Sequence, residues 1–359
     1  MKIHAIHLLN DYSGSPKVLK QLINGWIKND MEVSLFTNQN KTGFLSNIKG
    51  SKFYPVWYKS GSNKLLKLIN LVISQLLLFF QLLKTTQKED LIYINTVLPF
   101  GAAMAGKIKG NRIIYHIHET SITPILFKKF LFFIVKWAAT EVVYVSKFIA
   151  NQEPIKVKSY ILYNAIETEF LDKAIKKRKV KTEMNNVLMV CSLKDYKGIN
   201  EFIVLAKANP YFNFKLVLNA SKQEIDTYFK NTQIPKNCLI YHTQTNLHPF
   251  YQWASVILNL SRPNEWVETF GLTIIEGMSY GLPAIVPPVG GITELVKENY
   301  NGFLVDCRNF NELNDKLEVL LNQEKNYQLM SANASTKINE FSENVFINKS
   351  LEIINNLNS

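Results

Sequence analysis

The stretch NEWVETFGLTIIEGMSYGLPAIVPPVGGITELV, residues 264–296, sets Glu268 and Glu276 eight positions apart around a bare Phe-Gly step. The run SVILNLS (255–261) before it reads as a buried strand, and Glu268 to Gly271 follow in a loop. A helix, GLTIIEGMSY, starts near Gly271 and stops at Gly281, with Pro283 just beyond. The first turn of a helix leaves backbone N–H groups unpaired, and its dipole favours an anion. Gly271 has no side chain, so a phosphate can approach the backbone of Phe270, Gly271 and Leu272 closely. Glu276, more than a turn further on, offers two acceptor oxygens to a vicinal diol such as a ribose. Glu268, ahead of the helix, faces the group beyond the phosphate. The loop PPVGG supplies stiff prolines and a second close backbone approach at Gly290-Gly291. Together these features suit a nucleoside diphosphate that carries something polar, such as a sugar.

Outward from this stretch, strand-like and helix-like segments alternate along the whole chain. Apolar runs read as strands at KIHAIHLL, EVSLFTN, LIYINT, RIIYHIH, EVVYVS, VLMVCSL, FKLVLNA, CLIYHT, SVILNLS and PAIVPP. Helical patterns such as VLKQLINGWIKN and INEFIVLAKA lie between them. Near-continuous β-branched runs separated by helices imply parallel sheets covered on both faces. With 359 residues there is material for two cores, hence two doubly wound α/β domains facing each other across a cleft. The expected first domain spans roughly 1–165 and the second roughly 184–340. Periodicity fades over 163–186, where the basic run KAIKKRKVK reads as a solvated linker. The last helix, about 342–359, is expected to pack back on one of the domains.

Composition narrows the classes. The chain is 47% hydrophobic and 19% charged, which is globular. Cys191, Cys238 and Cys307 are widely separated and form no CxxC pair, so a reducing compartment with buried thiols is expected. The opening MKIHAIHLLNDYSG reads as a buried first strand rather than a secretory signal, so a cytoplasmic location is expected. Lys and Arg total 41 against 29 Asp and Glu, a net charge of +12, which favours anionic partners. Nucleic acid is not among them: zinc-finger spacing, RNP-like aromatics and a basic heptad helix are all missing.

Two segments bear on membranes. LLKLINLVISQLLLFFQLL (65–83) has the length of a membrane span, yet Lys67, Asn70, Ser74 and Gln81 share one helical stripe and mark an amphipathic helix of the first domain. ILFKKFLFFIVKWAA (125–139) mixes aromatics with Lys128, Lys129 and Lys136, and reads either as core packing or as a face resting on an anionic membrane.

The string from Glu268 onward resembles the retaining glycosyltransferases of family 4, which have the GT-B fold. Their E-x7-E pattern with FG matches Glu268, Phe270-Gly271 and Glu276. The G-x-P, GG-x-x-E and G-x-L-V elements match Gly281-Leu282-Pro283, Gly290-Gly291 with Glu294, and Gly302 to Val305. VLMVCSLKDYKGINEF (187–202) resembles the family's strand, short loop and Lys-Gly, which implies that Lys197 grips the donor diphosphate. The family often has Arg five residues earlier, where this chain has Ser192; Lys194 and Arg262 are candidate substitutes. NDYSGSPK resembles the small-residue loop after the first strand, with Gly14 alone where a Gly-Gly pair is commoner. In RIIYHIHET, His116 and His118 share a strand face; the resemblance places His118 beside the donor sugar and leaves His116 structural. YNAIE (163–167) resembles the junction between domains.

The resemblance implies a metal-independent enzyme, with no cofactor, that moves a sugar from a nucleotide-diphosphate sugar to a glycan or lipid-linked acceptor. His118 and Glu268 are then the catalytic residues; Gly14, Lys197, Phe270, Gly271, Leu272 and Glu276 bind the donor. Polysaccharide biosynthesis at the inner membrane face is the expected setting. Two alternatives stay open: a nucleotide-sugar-binding subunit without turnover, for which Ser192 argues, and a GT-B epimerase, against which the intact E-x7-E argues.

Overall fold

The computed structural model describes residues 2–39, 42–61, 63–178 and 183–355. It divides into two units, Met1–Asn164 with Phe346–Ser359, and Ala165–Val345.

The first unit runs β1 (Lys2–Ile6), α1 (Gly14–Lys28), β2 (Glu32–Asn38), β3 (Lys52–Val56), α2 (Lys64–Thr85), β4 (Leu91–Asn95), α3 (Phe100–Lys109), β5 (Arg112–Ile117), α4 (Ile125–Ala138), β6 (Glu141–Tyr144), α5 (Lys147–Gln152) and β7 (Lys158–Ile161). Its sheet has the order β3-β2-β1-β4-β5-β6-β7, parallel throughout. The β4 residues Leu91 to Asn95 are all buried, as a central parallel strand covered by helices requires. The C-terminal segment closes this unit: Trp26 Nε1 donates to Ser350 Oγ at 3.2 Å, and the Arg112 guanidinium donates to the Ile353 carbonyl at 2.7 Å.

The second unit runs α6 (Thr168–Lys177), β8 (Asn186–Ser192), α7 (Ile199–Ala208), β9 (Asn213–Asn219), α8 (Lys222–Tyr228), β10 (Cys238–Tyr241), α9 (His248–Trp253), β11 (Val256–Leu258), α10 (Leu272–Met278), β12 (Ala284–Val286), β13 (Gly302–Leu304), α11 (Phe310–Asn322) and α12 (Glu324–Lys337); α13 (Glu343–Ile354) follows. Its sheet order is β10-β9-β8-β11-β12-β13, again parallel throughout. In each sheet the strand order reverses beside the first strand of the unit, at β1/β4 and at β8/β11. Such reversal points are where ligands bind in open α/β sheets, at the carboxyl ends of the strands. Both units thus have the doubly wound α/β architecture that the sequence implies.

Three sequence expectations need correction. The basic run read as a linker starts as helix: Lys173 to Lys177 belong to α6, whose Phe170 stacks on His248 of α9 at 4.2 Å. The rest of that run, 179–181, lies outside the described residues. Cys191 is part-buried as a residue, unlike Cys238 and Cys307, although its thiol is itself out of water. The polar stripe on α2 does not face water as a whole. Ser74 is buried, and Gln75 beside it accepts a hydrogen bond from the Gly101 amide of α3 at 3.0 Å. The seam between the two helices explains this. α3 is FGAAMAGKIK, so its face is made of small residues, and a Cβ on Gly101 would lie 2.1 Å from the Gln75 carbonyl oxygen. Close backbone approach at this point rewards a narrow residue such as Ser74.

Candidate active site

In the second unit the β8 strand ends at Ser192, and a single 3₁₀ turn, Asp195–Lys197, hands the chain to α7. That turn aims Lys197 across the β8/β11 reversal point at the loop following β11. There its ammonium pairs with Glu268 Oε1, and Ser261 Oγ donates to the same oxygen at 2.9 Å. Burial would push the Glu268 carboxyl up, but the Lys197 charge and hydrogen bonds from Ser261 and Asn259 outweigh it and hold the group below the usual carboxylate range. Glu268 is therefore a carboxylate at neutral pH. Lys197 also sits 5.3 Å over the Trp266 ring, which stacks on Tyr196 at 5.1 Å.

Two glycines bring the three loops of this site together. A Cβ on Gly198 would lie 2.1 Å from the Leu260 carbonyl oxygen, so only glycine lets the Lys197 turn lie on the loop after β11. Gly290, at φ 106°, does the same for PPVGG: a Cβ there would lie 2.4 Å from the Glu268 carbonyl oxygen. The Pro-Pro-x-Gly-Gly signature thus buttresses the backbone of Glu268.

α10 begins after Gly271, whose φ of 114° turns the chain into the helix. The Phe270 ring is buried and meets Phe341 edge-on at 5.7 Å, so this residue can present backbone rather than side chain to a ligand. Glu276 is 4% exposed, and its Oε2 accepts the Tyr251 hydroxyl at 2.6 Å. Around them Phe170, His248, Tyr251 and Tyr280 form an aromatic cluster, with His248 Nδ1 2.7 Å from the Tyr280 hydroxyl.

Of the two substitutes considered for the cation absent at Ser192, Arg262 is committed elsewhere: its Nε and Nη2 donate to the two oxygens of Glu201 at 2.7 and 3.2 Å. Lys194 is exposed and forms no ion pair among the described residues. Cys191 lies nearby, but burial pushes its thiol up to about 12, which leaves it un-ionised and unreactive.

In the first unit Gly14 is the first residue of α1, and Asp11 Oδ1 accepts from the Ser13 amide at 2.9 Å just ahead of it. His118 is the first residue past β5. Its Nε2 donates to Asn95 Oδ1, at the end of β4, at 2.8 Å. The amide of Asn95 is oriented by its other end, where Nδ2 donates to the Ser15 carbonyl at 3.1 Å. A flipped amide would set oxygen against oxygen, so Oδ1 faces His118, and His118 carries its proton on Nε2. Burial, with His116 and His7 adjacent, holds the His118 imidazole well below the usual range, so it is neutral. His118 therefore offers a lone pair at Nδ1. His116 is fully buried with Nδ1 2.9 Å from the Tyr93 hydroxyl, a packing position. Glu119 accepts from the Val97 and His118 amides at 3.1 Å each, while burial pushes its carboxyl up to about 7.

The structure thus brings Lys197 and Glu268 into contact in one unit, places Glu276 on the short helix that Gly271 opens, and in the other unit sets His118 just past β5 and Gly14 at the start of α1. Sequence reasoning missed Ser261, Tyr251 and Asn95. Asn95 and Ser261 each close a strand that the sequence reveals, and the rule that ligands lie beyond strand ends points to both; nothing in FYQW singles out Tyr251. Among the described residues, no group of three His, Cys, Asp or Glu side chains is arranged to hold a metal ion.

Comparison with known proteins bears on this geometry. The family model of glycosyl transferases group 1 matches residues 172–337. An uncharacterized glycosyltransferase of Methanocaldococcus jannaschii is 28% identical over 264 residues, 70% of this chain and 71% of that protein. Among solved structures, Anabaena HepE in complex with UDP and glucose superposes with a TM-score of 0.78 at 18% identity, covering 99% of both chains. Sucrose-phosphate synthase from Thermosynechococcus elongatus gives 0.81 at 16% identity, also covering 99% of both. The glycosyl transferases group 1 match lies over the unit that carries the Lys197–Glu268 pair, and the full chain has the GT-B fold of a glycosyl-transfer enzyme.

Proposed function

We propose that the protein transfers a sugar from a nucleoside-diphosphate donor to a lipid-linked glycan acceptor, with retention of anomeric configuration, without a metal, and peripherally at the inner face of the membrane. The Lys197–Glu268 contact at the β8/β11 reversal point carries the reading. A donor diphosphate entering there meets an ammonium able to neutralise the leaving pyrophosphate charge, where electrostatic stabilisation is usually the largest contribution. Glu268, ionised and held by Ser261, accepts hydroxyls of the transferred sugar. The backbone of Phe270, Gly271 and Leu272 receives phosphate oxygens. Glu276 and Tyr251 serve the ribose end. In the first unit, Gly14 contributes backbone amides to the diphosphate, and His118 Nδ1 accepts from a sugar or acceptor hydroxyl. The UDP complex of HepE supports a nucleoside diphosphate as donor. Retention rests on the family resemblance, and a same-face attack guided by the departing phosphate accounts for it without an enzymic nucleophile.

A second reading, a binder without turnover, draws on one observation. Ser192 stands in the usual arginine position, Arg262 is held by Glu201, and Lys197 is already paired with Glu268. Screening UDP-, GDP- and dTDP-sugars by thermal shift identifies the donor; release of nucleoside diphosphate from it then separates the readings. Under the enzyme reading, Glu268→Gln lowers kcat by about 100-fold or more and Glu276→Ala raises the donor Kd with a smaller effect on kcat. Unchanged kinetics in both variants would remove the site assignment.

A further inference from the structure

α2 is built with its apolar side outward. Along its 22 residues the ridge that packs on the first unit is Leu71, Ser74, Gln75, Leu78 and Leu82, all buried. The opposite face carries Leu65, Ile69, Val72, Leu76 and Phe80, each between 43% and 66% exposed. α3 packs between α2 and α4, and Phe100 of α3 meets Phe130 of α4 edge-on at 5.3 Å. α4 repeats the pattern: Leu126, Phe130, Phe133 and Trp137, spaced 4, 3 and 4 residues apart, are 75%, 44%, 64% and 44% exposed. One helical layer thus exposes a broad apolar face, far beyond the scattered apolar residues of a usual surface.

The charges on that layer choose its occupant. α2, α3 and α4 contain lysines but no aspartate or glutamate. Lys67, Lys84, Lys107, Lys129 and Lys136 are exposed. On α4, a groove of about 370 Å³ is lined by Lys128, Lys129 and Lys136 together with Phe132, Phe133 and Glu153. Lys128 pairs with Glu153, so the groove's uncommitted cations are Lys129 and Lys136. A second copy of the chain laid on this face would oppose lysine with lysine. A phospholipid bilayer with anionic headgroups meets both demands, taking the apolar ridges among its acyl chains and the ammonium groups at its phosphates. α2 passes for a membrane span by length and composition, yet its inner ridge is sealed against the small-residue face of α3. It therefore lies along the interface rather than across it.

We infer that the outer faces of α2 and α4 form one docking surface for an anionic bilayer, with Lys129 and Lys136 holding lipid phosphate in the groove beside Phe133 of α4. The inference rests on the proposed function only for its biological purpose, delivery of a lipid-linked acceptor; the surface itself stands on α2, α3 and α4.

The test is co-sedimentation of the full chain with phosphatidylcholine vesicles, with and without phosphatidylglycerol, alongside the donor-hydrolysis assay in solution. The protein is expected to sediment with the anionic vesicles, less so as salt rises, and to be released by alkaline carbonate. Val72→Glu with Leu76→Glu, both exposed and outside the core, is expected to abolish sedimentation. Lys129→Glu with Lys136→Glu is expected to weaken binding on the order of tenfold or more, with donor hydrolysis and thermal melts of both variants unchanged. Absence of wild-type sedimentation, resistance to carbonate, or vesicle binding untouched by both double substitutions overturns the inference. So does a dimer in solution that the Val72/Leu76 pair disperses. Loss of donor hydrolysis in the wild type with vesicle binding intact would instead count against the proposed function alone.

Discussion

At the scale of single residues, the chemistry turns on which hydrogen-bonding state each side chain is held in. Glu268 and Glu119 are both carboxylates out of water, yet they are driven in opposite directions. Glu268 has an ammonium and side-chain donors and stays charged; Glu119 is held chiefly by backbone amides, and burial lifts it to about 7. His118 is the residue whose state is set by a neighbour. Because Asn95 is anchored on the Ser15 carbonyl, it accepts from His118 Nε2 and leaves Nδ1 unprotonated. Asn95→Asp converts that neutral acceptor into a carboxylate, which stabilises the imidazolium and raises the His118 pKa. The expected result is a lower kcat at pH 7 that recovers as the pH is raised, with the donor KM unchanged. A pH–rate profile matching that of the wild type would remove Asn95 from this positioning role.

At the scale of elements, the loops matter more than the helices they precede. Gly290 holds φ at 106° and its missing Cβ makes room for the Glu268 carbonyl. Gly290→Ala strains the turn, by about 1–3 kcal/mol, and displaces the Glu268 loop from Lys197. The variant should melt lower and release nucleoside diphosphate more slowly; melting and turnover equal to the wild type would show that the buttress is dispensable. This element was legible in the sequence as PPVGG, but its task was not, because the partner is a backbone oxygen that no side-chain pattern reports. The same divide runs through the strands. All ten apolar runs read as strands are strands. The three that were not read, β3, β7 and β13, are edge strands of their sheets. β3 (KFYPV) and β7 (KSYI) are mostly exposed and carry no continuous apolar run; the proline in β3 is tolerated because an edge strand can spare an amide. β13 (GFL) lies between Asn301 and Asp306 in an apolar run of only Phe303 to Val305, too short for any period to show. For α2 the sequence gives the helix but not its facing, since Gln75 turns inward to meet a backbone amide and the small residues that admit it lie on another helix.

At the scale of the whole molecule, the two units differ in how they respond to acid. The first unit buries three histidines, His4, His7 and His116, and the second buries none among its described residues. Burial lowers His7 to about 4 and His116 to about 3, and it also lowers His4 despite the opposing pull of Asp90. For a base depressed in the fold, the unfolded chain takes the proton first. Stability is therefore full above pH 6.5 and is lost as pH falls toward the folded values, at up to about 1.4 kcal/mol per pH unit for each histidine. Glu119 opposes this. Its raised carboxyl favours the fold below 4.5 and loses that advantage as pH rises to about 7, but it is one group against several. The melting transition of the first unit is thus expected to move down as pH falls from about 6.5 toward about 5, while that of the second unit moves less. His116 touches Tyr93 and His118 and lies in the core, so His116→Asn should lower stability at every pH yet flatten the slope, since one depressed base is gone. Calorimetry across that pH range measures both. A first-unit transition that is level with pH, or a slope that His116→Asn leaves unaltered, would mean that the buried imidazoles of this unit do not govern its acid response.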